Sequence, residues 1–85
     1  MPASNPEAEL RAYVASRLAP EAVQRLTDDS DLFQLLDSMD VIRIVGVLED
    51  RFGVVFEDFE LVPEKLGTIR RMIASARSKL GSPAA

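Results

Sequence analysis

The sequence predicts a small all-α fold, a four-helix bundle with three main helices, one short helix and a long first loop. Apolar residues recur at helical spacing in three stretches, and residues that begin or end helices bound each stretch. The one short apolar run, residues 54–56, has no partner strand elsewhere. With 85 residues the chain holds a single domain, expected over residues 6–80 between flexible tails at 1–5 and 81–85.

The first helix is expected over residues 6–18. Asn5 supplies an N-cap, Pro6 suits the first helical position, and Glu7 suits the positive end of the helix dipole. One apolar face then recurs at helical spacing: Leu10, Tyr13, Val14 and Leu18. Pro20 ends the helix, because proline disfavours a helical residue before it.

Residues 19–37 show no sustained period and predict a long loop with one helical turn near residues 21–26. Six apolar side chains are expected to anchor it: Val23, Leu26, Leu32, Phe33, Leu35 and Leu36. The acidic run at residues 28–31 suggests a calcium site of the EF-hand type. Such a loop needs Gly at its sixth position and Glu at its twelfth, where this chain has Gln34 and Asp40. Turn and N-cap roles for these aspartates are favoured instead.

The second helix is expected over residues 38–52. Asp37 caps it, and Gly53 suits the left-handed residue that commonly follows a helix. Its core stripe steps by three and four residues: Val41, Val45, Leu48 and Phe52. Three further residues make the apolar face wider than one core needs: Ile42, Ile44 and Val47.

The rest of the chain predicts an extended connector over residues 54–56 and then an acidic loop. Three apolar residues are expected to anchor that loop: Phe59, Leu61 and Val62. Residues 63–66 form the short helix, which Gly67 stops, and Thr68 caps the last helix. The last helix has a clean apolar stripe: Ile69, Met72, Ile73, Ala76 and Leu80.

Composition excludes several kinds of site. The chain has no Cys and no His, which rules out disulfides, thiolate or imidazole metal ligands, Cys-His pairs and Ser-His-Asp triads. No apolar stretch approaches the ~20 residues that span a bilayer, and the N-terminus lacks the pattern of a signal peptide. The expectation is a monomeric cytoplasmic protein that binds, carries or docks and is not an enzyme.

Charge is distributed unevenly along the chain. Residues 28–64 carry eleven acids and two bases, whereas residues 65–85 carry five bases and no acid. The acidic middle favours basic protein partners through electrostatic steering, and an ordinary solvated surface explains it equally well. The basic last helix leaves a nucleic-acid interpretation open, but the acidic middle would repel phosphates, so no nucleic-acid partner is expected.

Ser38 stands out chemically. It opens the second helix after the long loop, near backbone amides that have no intrahelical partner. No histidine is present to activate it as a triad nucleophile. Because a helix N-terminus favours an attached anion, Ser38 suits a phosphate-containing modification better than catalysis. A plain capping role is the simpler alternative.

The residues around Ser38 resemble the acyl carrier protein family. That family's phosphopantetheine-attachment region has an Asp-Ser-Leu signature at the start of the second helix, matched here by Asp37, Ser38 and Met39. The family's helix closes with an acidic residue, Phe and Gly before an apolar run, as residues 48–54 do here. The resemblance covers residues 7–80.

The resemblance implies a non-catalytic carrier. Coenzyme A would supply a 4′-phosphopantetheine arm to Ser38, flanked by Asp37 and Met39, and the arm's thiol would hold an acyl or aminoacyl group as a thioester. Its partners would be a phosphopantetheinyl transferase, a loading ligase or transferase, and downstream biosynthetic enzymes. The second helix would be the docking surface, through Asp40, Arg43, Val47, Asp50 and Arg51.

Several residues depart from the family pattern. Met39 replaces the usual Leu after the serine. A Leu-Leu pair at residues 35–36 stands where many members have Gly. Arg43 and Arg51 interrupt a helix that is more acidic in fatty-acid-synthase carriers. We therefore expect a specialised pathway, such as polyketide, nonribosomal peptide or modified-lipid synthesis. Two alternatives stay open: a D-alanyl or other aminoacyl carrier for cell-wall modification, and an unmodified helical interaction module in which Ser38 is only a cap.

Overall fold

The computed structural model describes residues 5–81. Six α-helices occur in that range: α1 (Pro6–Ser16), α2 (Pro20–Arg25), α3 (Leu32–Leu35), α4 (Ser38–Phe52), α5 (Pro63–Leu66) and α6 (Ile69–Gly81). A 3₁₀ turn at Asp58–Glu60 lies between α4 and α5, and none of the described residues forms a strand. The predicted all-α bundle with three main helices is confirmed, the main helices being α1, α4 and α6.

The expected tails fall mostly outside the described residues, which exclude 1–4 and 82–85. The two tail positions that are described belong to helix ends. The Asn5 side chain accepts hydrogen bonds from the amides of Glu7 and Ala8, and Gly81 is the last residue of α6.

Ion pairs at both ends of α1 and α4 show the relative direction of the two helices. Glu9, near the start of α1, pairs with Arg51 at the end of α4. Arg17, at the end of α1, pairs with Asp40 in the first turn of α4, with 2.8 Å between Arg17 Nη2 and Asp40 Oδ1. The two helices therefore run antiparallel, with one ion pair at each end.

One apolar core lies between the long helices and the segments that connect them. Thirteen apolar side chains are buried: Leu10, Val14, Leu32, Leu36, Ile44, Val45, Leu48, Phe56, Leu66, Ile69, Met72, Ile73 and Ala76. Full burial of a Val, Leu, Ile, Phe or Met side chain stabilises a fold by about 1.5–3 kcal/mol. Ile44, expected only to widen the apolar face of α4, is fully buried.

Local capping signals in the sequence are confirmed. Asp37 Oδ1 accepts the Asp40 amide at 2.8 Å, so α4 begins at Ser38 as predicted. Gly53 ends α4 with a φ of 69°, in the left-handed region that favours glycine. Thr68 Oγ1 accepts the Arg71 amide at 3.0 Å and caps α6.

Two element boundaries differ from the prediction. α1 ends at Ser16 rather than at residue 18, because the amides of Arg17 and Leu18 bond back three residues, to Val14 and Ala15. The loop predicted through residues 27–37 contains the four-residue helix α3, which the Asp31 side chain caps by accepting the Phe33 amide. A helix of four residues shows no apolar period, so periodicity does not reveal it.

Three predicted loop anchors are wrong, because their side chains are exposed: Val23, Leu35 and Phe59. Leu80, predicted in the apolar stripe of the last helix, is exposed as well. In the 3₁₀ turn, Glu60 occupies the buried position expected for Phe59, which is 74% exposed. The Glu60 carboxylate accepts the Glu57 amide and pairs with Lys79, each at 2.8 Å. Leu32 and Leu36 are buried, and their anchoring role is confirmed.

Aspartates of the acidic run tie the segment between α2 and α3 to two long helices. Asp28 accepts two hydrogen bonds from Arg11 of α1, at 2.9 and 2.7 Å. Asp29 accepts two from Arg70 of α6, at 2.7 and 3.2 Å. No group of acidic side chains suited to a metal ion occurs within residues 5–81.

Basic side chains of α6 are engaged within the molecule. Arg70 pairs with Asp29, Arg77 pairs with Glu7, and Lys79 pairs with Glu60. Arg71 donates to the Pro63 carbonyl oxygen. Three of the basic side chains that left a nucleic-acid interpretation open are therefore paired with carboxylates of the same chain. Among the described helices, none is long and apolar enough to cross a bilayer.

The Asp28–Arg11 pair predicts a dependence of stability on pH. The Arg11 guanidinium holds the pKa of Asp28 below its usual range, through two hydrogen bonds and its charge. Because the folded-state pKa is lowered, the stabilisation is present above the unfolded pKa of about 3.9 and is lost as pH falls through the lower folded value. We expect Asp28→Asn to be less stable than wild type at neutral pH and to converge with it in strong acid.

Urea unfolding across the pH range measures this convergence. Asp58→Asn is the matched control, because Asp58 is exposed and has no ion pair within the described chain. A stability difference for Asp28→Asn that persists undiminished in strong acid would show that the ion pair is not its cause.

Candidate functional site

Ser38 is the first residue of α4 and is exposed. The residue before it, Asp37, supplies the side-chain cap. Ser38 therefore has no capping task, and the simpler interpretation of this serine as an N-cap is wrong. The sequence predicts Asp37 as the cap, and the structure confirms this, so the Ser38 hydroxyl stays outside the capping hydrogen bond.

The Ser38 hydroxyl has no hydrogen-bond partner within residues 5–81, whereas other serines in this range are engaged. Ser16 Oγ donates to the Tyr13 carbonyl oxygen at 2.6 Å, and Ser75 Oγ donates to the Lys65 carbonyl oxygen at 2.7 Å. Ser30 Oγ accepts the Thr27 amide at 3.0 Å. An exposed hydroxyl without such a bond is accessible to an enzyme that attaches a group to it.

Backbone amides next to the hydroxyl suit an anion. The amides of Ser38 and Met39 lie in the first turn of α4, where no carbonyl precedes them in the helix. The Asp40 amide donates to Asp37 Oδ1, and the Val41 amide donates to the Asp37 carbonyl oxygen. The two remaining amides and the positive end of the helix dipole favour a phosphate at this position.

An apolar cavity of about 300 Å³ adjoins Ser38. Besides Ser38, its wall is formed by seven apolar side chains from α3 and its C-cap, from α4, and from α5 and the segment before it: Phe33, Leu36, Val41, Ile42, Val45, Leu61 and Leu66. The wall includes no charged side chain. Sequence reasoning missed this cavity, since its walls come from separate segments that only the fold brings together.

The predicted docking residues of α4 differ in solvent exposure and in their ion pairs within the molecule. Asp50 and Arg43 are exposed, with side-chain exposures of 71% and 52%. Arg51 is engaged with Glu9 and Asp50, and Val47 is half-buried. Asp40 is the least free, because its side chain is only 16% exposed and is held by Arg17.

Arg17 is a residue of this site that sequence reasoning missed. Its Nε and Nη2 atoms lie 2.9 and 2.8 Å from Asp40 Oδ1, and Arg43 Nη1 lies 3.7 Å from the same oxygen. Hydrogen bonding to Asp40 raises the pKa of Arg17. No local pattern could reveal this partner, because Arg17 stands 23 residues before Asp40 in the chain.

The residues present fit a group attached through a phosphodiester. Ser38 offers an exposed hydroxyl, two amides face the N-terminal end of α4, and an apolar cavity opens beside them. The resemblance noted in the sequence implies such a group. Asp37 would hold the helix start, and Met39, which is 55% exposed, would flank the attached arm.

Comparisons with known proteins give one match. The family model described as phosphopantetheine attachment site matches residues 8–75. No curated protein and no solved structure matches the chain.

Unequal effects on stability are expected for two neighbouring substitutions at the start of α4. Asp37→Ala removes the cap and should lower the free energy of unfolding by about 0.5–2 kcal/mol. Ser38→Ala removes an exposed hydroxyl that makes no such bond and should change it by no more than about 0.5 kcal/mol.

Urea denaturation of both variants measures the difference. If Ser38→Ala costs as much as Asp37→Ala, the serine shares the capping role and its hydroxyl is not free.

Proposed function

The chain belongs to the acyl carrier protein family and carries a covalently attached 4′-phosphopantetheine group, and on that premise we propose that Ser38 is the residue that bears it. One observation carries this proposal. Ser38 begins α4 with an exposed hydroxyl that has no hydrogen-bond partner among the described residues, while Asp37 supplies the cap. An unmodified module in which Ser38 only caps the helix is disfavoured for the same reason.

Residues of the first turn have distinct tasks in this proposal. During attachment Ser38 Oγ loses its proton and forms a bond to the phosphorus of the phosphopantetheinyl group, while the pyrophosphate bond of coenzyme A breaks and adenosine 3′,5′-bisphosphate leaves. The amides of Ser38 and Met39 and the positive end of α4 stabilise the negative charge of the phosphodiester. Asp37 keeps the helix start in place. When attached, the arm supplies a terminal thiol that holds cargo as a thioester.

This chain acts as a carrier and not as an enzyme in our proposal. Ser38 raises the local concentration of tethered cargo at partner active sites. Partner enzymes dock on α4, through Asp40, Arg43, Val47, Asp50 and Arg51. They comprise a phosphopantetheinyl transferase, a loading enzyme and downstream biosynthetic enzymes of a specialised pathway.

The cavity beside Ser38 favours an acyl cargo over an aminoacyl one. Its wall is apolar, and no carboxylate lines it to pair with an ammonium group. Burying an unpaired ammonium there would cost several kcal/mol, whereas an alkyl chain gains about 0.8 kcal/mol per buried CH₂. An aminoacyl group, the second candidate cargo, would therefore remain in solvent.

Intact-mass measurement tests the attachment site. We expect the wild-type chain to gain one phosphopantetheinyl group on incubation with coenzyme A and a broad-specificity phosphopantetheinyl transferase. Ser38→Ala should gain none, while Ser16→Ala, which removes another exposed serine hydroxyl, should gain one. A modified Ser38→Ala variant would place the group elsewhere in the chain.

Thermal unfolding tests the cargo class. The same transferase can load the chain from hexanoyl-coenzyme A or from β-alanyl-coenzyme A. We expect the hexanoyl form to have a higher melting temperature than the form with a free thiol. The β-alanyl form should have the same melting temperature as the form with a free thiol. Val41→Phe, which places a larger side chain in the cavity wall, should remove the hexanoyl effect. Equal melting temperatures for both cargoes on the wild type would argue that the cavity does not hold the acyl chain.

A further inference from the structure

Three exposed apolar side chains lie together at the end of the bundle opposite Ser38. They are Val55, Phe59 and Leu80, and we call them the distal patch. Val55 and Phe59 are 71% and 74% exposed, and Leu80 is 58% exposed. Single apolar side chains are ordinary on a protein surface, whereas a cluster of them with a polar rim is typical of a binding site.

Contacts of Lys79 bring the members of the distal patch together. Lys79 Nζ lies 2.8 Å from Glu60 Oε1 and 5.0 Å from the centroid of the Phe56 ring. Each member of the distal patch is the chain neighbour of one of these three residues. Because chain neighbours are only about 3.8 Å apart at their Cα atoms, the three apolar residues lie around one point of the surface.

Ion pairs place this point far from Ser38. Near the end of α6, Arg77 pairs with Glu7 in the first turn of α1. Glu9, also near the start of α1, pairs with Arg51 in the last turn of α4. The start of α1 and the ends of α4 and α6 therefore share one end of the bundle. Ser38 begins α4, and a helix of 15 residues is about 22 Å long.

The 3₁₀ turn exposes Phe59 against the usual burial preference. Its neighbour Glu60 is only 8% exposed, although glutamate is rarely buried and phenylalanine commonly is. The Glu60 carboxylate has partners inside the fold, the Glu57 amide and Lys79, each at 2.8 Å. The chain thus satisfies a buried charge and leaves an aromatic ring in solvent. Such departures from the ordinary pattern are expected where a surface has a function.

The rim of the distal patch is negative. Glu57 and Asp58, immediately before Phe59, are exposed and have no ion pair among residues 5–81. Lys65 on α5 is a further exposed cation, but its neighbour Glu64 carries the opposite charge. The cations nearest the patch are paired with carboxylates of the same chain: Arg51, Arg77 and Lys79.

We propose that the distal patch binds a basic protein segment that presents an apolar side chain between lysines or arginines. Phe59 is the central anchor, since aromatic side chains dominate binding energy at interfaces, and the other two members border it. Glu57 and Asp58 attract the flanking cations. A second copy of this chain is a poorer occupant, because its own patch carries the same negative rim. The inference goes beyond the carrier function, since a protein held here leaves Ser38 accessible to another enzyme.

Two synthetic amphipathic helical peptides test the proposal. Both carry the same apolar face with one Trp, bordered by Lys in one peptide and by Glu in the other. Each is titrated into the ¹⁵N-labelled full chain at physiological ionic strength, and dissociation constants are taken from amide shifts. We expect the Lys-bordered peptide to bind about two- to fivefold more tightly, with the largest shifts at residues 55–60 and at the end of α6.

Matched variants separate the apolar contribution from the charge. Phe59→Ser should weaken binding of the Lys-bordered peptide by about fivefold or more and change the melting temperature little, because the ring is mostly exposed. Leu35→Ser, at another exposed apolar position, should leave binding unchanged. Asp58→Lys should remove the preference for the Lys-bordered peptide. Glu21→Lys makes the same change of net charge at an exposed position on α2 and should retain that preference.

Equal or tighter binding of the Glu-bordered peptide would overturn the proposal. So would the largest shifts away from the distal patch, or undiminished binding by Phe59→Ser. Shifts at the distal patch that depend on chain concentration without peptide, and that Phe59→Ser removes, would assign the patch to a second copy of the chain. If Phe59→Ser lowers the melting temperature strongly, Val55→Ser replaces it, with Val23→Ser as its control at another exposed valine.

The accessibility of Ser38 is measured separately. With the Lys-bordered peptide at saturation, the wild-type chain should gain the phosphopantetheinyl group at the rate seen with the Glu-bordered peptide. A lower rate would show that the distal patch and Ser38 are not independent. The titrations are repeated on Ser38→Ala, so they do not depend on attachment. A chain that binds the Lys-bordered peptide but never gains the group would refute the carrier proposal and leave the distal patch intact.

Discussion

The position of Ser38 depends on how the segment between α2 and α4 is fastened to the bundle. Asp28 and Asp29 tie it to α1 and α6, and the Leu32 amide donates to the Gly67 carbonyl oxygen at 2.8 Å. A side chain at Gly67 would not be tolerated, since a Cβ there would lie 2.5 Å from the Pro63 carbonyl oxygen. The tight turn between α5 and α6 thus supplies the acceptor that holds the segment leading into α4.

Ion pairs and apolar anchors make different contributions to this arrangement. The Arg11 and Asp28 side chains are 41% and 28% exposed, and pairs of this kind contribute about 0–1 kcal/mol each. Burial of Leu32 and Leu36 contributes about 1.5–3 kcal/mol for each side chain. The apolar anchors therefore supply most of the stability. The ion pairs, which join residues far apart in sequence, favour one placement of the segment over others.

Features set by neighbouring residues could be predicted from the sequence, and features set by distant ones could not. Both ends of α4 follow from Asp37 and Gly53, which act on the adjacent turn. The family model that matches the chain agrees with the resemblance seen in those residues. Arg17 and the cavity wall escaped prediction, because their neighbours are separated by many residues of chain. Phe59 was misjudged because hydrophobicity alone cannot show that Glu60 has partners for its carboxylate.

The same distinction applies to charge. A count along the sequence finds a strongly acidic middle and a basic end, but folding brings the two together, with Asp29 against Arg70 and Glu60 against Lys79. These pairs neutralise part of the charge that a count along the sequence finds, while the Asp29 and Arg70 side chains remain exposed to solvent. At the start of α4 the exposed groups are the Met39 side chain, the Asp37 carboxylate and the guanidinium of Arg43, which lies 3.7 Å from Asp40. Under the proposed function each partner enzyme dissociates after every transfer, and a small contact area at the start of α4 suits such a transient interaction.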